Sequence, residues 1–176
     1  MAIKLTTKTK PNPTVSISSY TDQDTLKKIY QTLKGDKQED IPFIVWLLEN
    51  PKSFCKFPGQ IDLCRHDYLH ILLNRRFSLD DEAFLVGFTM GNDLKTNSVH
   101  CLIFKIISKY FYPKHYRFTD KHLQSFNLGF IDGRKVKVKN INNLDFSIYE
   151  NKKISEIRKI SEIRKILGLD MVIRFD

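Results

Sequence analysis

The chain has 176 residues, 41% hydrophobic and 28% charged, with a formal net charge of +9; this is enough apolar material for one domain with a core. Three cysteines, Cys55, Cys64 and Cys101, form no CxxC pair and leave an odd count, which excludes a disulfide framework or a zinc ribbon and fits a reducing, cytoplasmic setting. The first twenty residues lack the apolar core of a signal peptide, and no apolar run reaches bilayer length, so secretion and membrane spanning are not expected.

Residues 1–19 carry Lys, Thr, Ser and prolines with no sustained period and read as a flexible arm; residues 20–176 read as a single compact all-α domain. After Thr21 and Asp22, the residues Leu26, Ile29, Tyr30 and Leu33 trace one face of an amphipathic helix that Gly35 stops. Asp40 and Pro42 open a second helix through FIVWLLEN, apolar on every side and ended by Asn50-Pro51. A third is expected over residues 58–74. A fourth starts at Ser78, with Asp81 three positions on, and runs to about Gly91. The short link at residues 75–77 makes these two antiparallel neighbours.

Val99, Leu102, Ile103, Ile106, Ile107 and Tyr110 then mark one face of a helix, read here as the face turned to the core. Thr119 caps another helix to about Phe130. RKVKVKN alternates like a strand or an exposed basic loop. Near the end ISEIRK occurs twice in tandem, at residues 154–159 and 160–165, a local duplication that lengthens a C-terminal helix. Residues 104–139 hold nine Lys or Arg against Asp120 and Asp132. Such a field suits an anionic membrane or phosphorylated ligand; no nucleic-acid recognition motif accompanies it, and no nucleic-acid partner is expected.

The chemistry concentrates in CRHDYLHILLNRRFSLDDEAF, residues 64–84. On a helix His66 and His70 lie i, i+4 and Asp67 and His70 i, i+3, so the three share a face flanked by Leu63, Leu69 and Leu73. Charges among leucines need a partner. Glu82, four residues into the next helix, should stand level with His70, four residues before the end of its own. Two nitrogen and two oxygen donors from one helical hairpin suit a divalent metal: Zn²⁺ best, with Fe²⁺, Mn²⁺ or Mg²⁺ able to take the same set. The competing readings are histidines hydrogen-bonded to carboxylates, with Asp67 paired to Arg65 or Arg75, and an HD-type phosphohydrolase, which needs a histidine upstream of His66 where none exists. Ile41 to Leu48 and Ala83 to Met90, with Gly87 leaving room, suggest a cleft for a long apolar chain.

HDYLH, the eleven residues ILLNRRFSLDD and Glu82 resemble, position for position, the HDxxH-x11-E motif of the coenzyme Q (ubiquinone) biosynthesis protein four family. The resemblance is strong over residues 58–93, and EIRKILGL is similar to the family's closing helix. It implies a metal held by His66, Asp67, His70 and Glu82, a cavity for a prenylated lipid or quinone precursor, a homo-oligomer, partner enzymes of quinone biosynthesis and peripheral attachment to a membrane surface. The implied activity is C1 decarboxylation and hydroxylation of the quinone head-group precursor, or a non-catalytic scaffold built on the same ligands.

Overall fold

The computed structural model describes residues 20–33, 57–161 and 163. The N-terminal arm, the helix expected through FIVWLLEN and residues 162, 164 and 165 of the second ISEIRK copy lie outside these residues. The described elements are six α-helices, α1 (Leu26–Tyr30), α2 (Leu63–Leu72), α3 (Leu79–Asn92), α4 (Ser98–Tyr110), α5 (Asp120–Lys135) and α6 (Ile154–Ile160), with 3-10 turns at Ile141–Asn143 and Phe146–Tyr149. The fold is all-α, without a strand among the described residues.

Helix α1 is one short segment: Thr25 accepts from the backbone N–H of Lys28, and Leu26 and Ile29 turn inward. Its place is fixed from the other end of the chain. Leu26 N donates to Lys152 O and Ile154 N to Asp24 O, so residues 20–30 and α6 are tied together by backbone bonds. From α6 the buried Arg158 donates through Nε to Leu72 O at 2.8 Å and through Nη2 to Ile71 O at 3.0 Å, and it pairs with Asp22. Both lie in the last turn of α2, where carbonyls run short of helical donors, and Ile71 O also accepts from Tyr20 Oη at 2.7 Å. Ile154, Ile157 and Ile163 join Leu69, Ile71, Leu72 and Phe88 in the same core.

Helix α2 starts on Asp62, whose side chain accepts from Arg65 N. It is shorter than the sequence suggests, because residues 58–62 run non-helical around Gly59, held at φ 87°. Its other end closes on Asn74 at φ 52°, with Asn74 N donating to Ile71 O and Arg75 N to His70 O. That is a Schellman stop with asparagine in the left-handed position. Ser78, accepting from Asp81 N, starts α3 four residues later.

Helices α3 and α5 pack backbone to backbone. A Cβ built on Gly87 would sit 2.1 Å from Phe126 O, and one on Gly91 2.2 Å from Phe130 O. In return Gly129 faces Phe84 O at 2.0 Å and Gly133 faces Phe88 O at 2.2 Å. The contacts rise together along both chains, so the two helices run parallel, joined through GxxxG on each. The room expected beside Gly87 for an apolar ligand is therefore filled by α5.

Helix α4 departs from expectation more sharply. Its buried residues are Cys101, Phe104 and Ser108, while Val99, Leu102, Ile103, Ile106 and Tyr110 face outward. This helix is apolar on two sides, and periodicity cannot choose between them. Aromatic packing does: Phe104 stacks on Phe126 at 5.3 Å and meets Tyr112 and Phe118 edge-on.

Nor does RKVKVKN form a strand. Arg134 and Lys135 complete α5, which outruns its expected end at Phe130. The following residues are pinned by the fully buried Asn92, which donates to Gly133 O and Val138 O and accepts from Ile141 N. No helix among the described residues is long and apolar enough to cross a membrane.

Candidate metal centre

The α2–α3 hairpin brings His66, His70 and Glu82 together, with one ligand atom of each within 4.8 Å of the others. The i, i+4 spacing puts both imidazoles on the face of α2 that meets α3, and the Asn74 stop with Ser78 places Glu82 in the first turn of α3, level with them. The helix N-terminus favours the negative charge there. Glu82 divides its oxygens: Oε2 stands 3.0 Å from His66 Nε2 and Oε1 3.2 Å from His70 Nε2. The two rings meet nearly perpendicular, with centroids 4.6 Å apart, and Phe77 from the connecting turn covers His70 at 4.4 Å.

The donor geometry separates metal ligation from simple hydrogen bonding. His70 is fully buried, yet neither ring nitrogen has a hydrogen-bond partner of acceptable angle, although Nε2 is near Glu82 in distance. The glutamate oxygen lies off the N–H axis. Two donors each about 2.1 Å from one cation stand roughly 3 to 3.5 Å apart, the separation seen between Glu82 and each imidazole. A divalent ion would satisfy all three groups, and three protein ligands leave coordination positions open. The group can hold a metal ion.

The electrostatics of the metal-free site are those of a tight ion cluster. Burial alone would depress His66, but Glu82 and then Asp67 outweigh it and push the imidazole up to about 10. Burial likewise acts to raise Glu82, and the charges of His70 and His66 overcome it and hold the carboxyl far below its ordinary range.

Asp67 stands apart from the other three. Its buried carboxylate lies 3.6 Å from His66 Nδ1, the ring nitrogen on the side away from Glu82. At that distance it is a charge neighbour of the imidazole, not a hydrogen-bond acceptor. The sequence suggested it as a fourth ligand; it lies beside His66 and outside the group of three donors that converge. The arginines proposed as its partners are engaged elsewhere, Arg65 with Asp62 and Arg75 with Asp81. Of the remaining histidines, His100 and His122 accept the backbone N–H of Asn97 and Thr119 at the starts of α4 and α5, and His115 is exposed. None joins the cluster, which weighs against a phosphohydrolase set.

A cleft of about 540 Å³ opens at the far end of α3, lined by polar groups including Gln60, Asp93, Lys95, His100, Asn140 and Asn142. Eleven residues along α3 separate Asp93 from Glu82, roughly 16 Å. This cleft does not offer the apolar lining expected beside the metal hairpin. No family model, curated protein or solved structure matches the chain.

Proposed function

We propose that this protein binds a divalent metal through His66, His70 and Glu82 and uses the site on a prenylated quinone precursor at a membrane surface, alongside partner enzymes of quinone biosynthesis. The observation that carries the metal half is the convergence of a buried, otherwise unpartnered His70 with His66 on a shared carboxylate. The substrate half rests on the HDxxH-x11-E resemblance. Two imidazoles and one carboxylate with open positions suit Zn²⁺, and the same set is used for Fe²⁺. A bound ion of this kind supplies Lewis-acid polarisation of a ring oxygen or carboxylate, or activates a water.

The chain's own residues have definite tasks in that reading. His66 and His70 present Nε2 toward Glu82, whose carboxylate offsets half of a divalent charge. Asp67 adds a second negative charge behind His66. Phe77 and the leucines of α2 keep bulk water from His70, which strengthens each charge contact inside. Purification without chelator, followed by elemental analysis and mass spectrometry of extracted lipid, tests both halves. One divalent ion per chain, lost in His70→Ala, and a co-purified isoprenoid lipid are expected. A wild-type protein that holds no ion and gains no thermal stability from added Zn²⁺, Fe²⁺, Mn²⁺ or Mg²⁺ would reduce the cluster to a buried ion pair.

A further inference from the structure

Helix α4 turns an uncharged face to solvent. Val99, Leu102, Ile103, Ile106 and Tyr110 recur at helical spacing and are each at least 40% exposed, and Phe111 continues the strip at 67%. The strip is roughly 16 Å long. It exposes on the order of 600 Å² of apolar side chain, the upper end of what single soluble chains leave uncovered. The lysines of α4 do not interrupt it. Lys105 lies over the Phe126 ring at 5.5 Å and Lys109 pairs with Asp120, so both point toward α5.

Positive charge gathers beside the strip. Lys114, His115, Arg117 and Lys121 are exposed directly after α4. The sole acid in residues 111–125 is Asp120, already engaged by Lys109. An apolar helix face ending in Tyr110 and Phe111, with unopposed basic side chains next to it, has the chemistry of an element that lies in a lipid interface. We propose that α4 docks on an anionic lipid surface, its outward face at the boundary of head groups and acyl chains and Lys114, Arg117 and Lys121 on the head-group charges. Isologous pairing with a second copy would bury the same face. It would also bring the basic segments of two chains of net charge +9 together, with no acid in residues 98–119 to receive them. This inference names the surface for the membrane part of the reading above and is independent of the metal centre.

Flotation of the full chain with vesicles of phosphatidylcholine, alone or mixed with phosphatidylserine, tests it. Wild type is expected to float with the anionic vesicles and more weakly with the neutral ones. The double variant Leu102→Glu, Ile106→Glu alters solvent-facing positions, so thermal midpoint and metal content should not change, while vesicle binding falls at least tenfold. Lys114→Gln and Lys121→Gln should each lower binding to the anionic vesicles about fivefold and leave the neutral ones unaffected. Wild type that floats with neither vesicle, or a double variant that floats as well as wild type, overturns the proposal. A dimer in sedimentation that the double variant splits, without vesicle binding, overturns it too and gives the face to a second copy. Lost flotation with metal retained removes only the α4 assignment, and lost metal with flotation retained removes only the metal reading.

Discussion

Helix α3 meets two neighbours in opposite ways. Toward α5, which follows it in the chain only after α4, it presents glycines and the backbones touch; toward α2, its neighbour in sequence, it presents Glu82 and the helices are held apart by imidazole and carboxylate. Glycine contacts leave no volume for anything else, whereas ionisable side chains facing each other leave a gap of the size one cation fills. The closeness of one interface and the spacing of the other follow from side-chain size alone.

Gly129→Val is the largest break available to that comparison. Its Cβ would fall 2.0 Å from Phe84 O on a rigid helix. Destabilisation of about 4 kcal/mol or more is expected, enough to abolish cooperative unfolding in denaturant titration. Arg158→Met comes next: it takes the guanidinium donor from the Leu72 carbonyl and Asp22 and one of several donors from the Ile71 carbonyl, at a cost of about 3 kcal/mol in the same titration. The hairpin side should respond differently. His70→Ala is expected to lower metal affinity at least a hundredfold by calorimetric titration, with the stabilisation that metal gives the folded state lost in parallel. Asp67→Asn, acting on a ligand's neighbour, should cost about tenfold in the same experiment. Loss equal to that of His70→Ala would make Asp67 a ligand.

Proton linkage gives the most diagnostic effect. In the metal-free protein the raised His66 contributes stability that is full below its unfolded value of 6.5 and is lost as pH climbs through about 10. The lowered Glu82 contributes stability that is full above its unfolded value of 4.5 and is lost as pH falls through its folded value. Both operate fully between those unfolded values, so the metal-free thermal midpoint should fall from pH 6 to pH 9. Metal loading requires His66 to give up its proton, so affinity should rise over the same interval. Parallel pH slopes for the two measurements would contradict a shared site.

The metal hairpin was the legible part of the sequence because its geometry is local. Spacing within HDYLH, a stop near Asn74 and a cap at Ser78 are enough to set Glu82 against His66 and His70. The place of Asp67 was not legible: sharing a helix face does not decide which side of an imidazole a carboxylate approaches, and it lies beside His66 Nδ1 and outside the group of three. The α3–α5 contact depends on residues forty positions apart, yet FLVGFTMG and FNLGFIDG repeat the pattern FxxGFxxG and would have revealed it. The face of α4 had no such pointer, since Phe104 finds its partners only after Phe118 and Phe126 are in place.

The glycine contact between α3 and α5 also has symmetry. Phe84, Gly87, Phe88 and Gly91 correspond to Phe126, Gly129, Phe130 and Gly133, and each contact is returned by its counterpart at nearly the same distance, so a local two-fold axis runs between the parallel helices. Under that operation Glu82 maps onto Gln124, which is exposed and neutral. The α3–α5 packing draws its carboxylate at this turn from Asp80, which accepts from Ser125 at 2.8 Å, and asks for none at the position of Glu82. The charge of Glu82 is thus a departure from the two-fold that this packing does not use, and it occurs on the helix that faces two histidines.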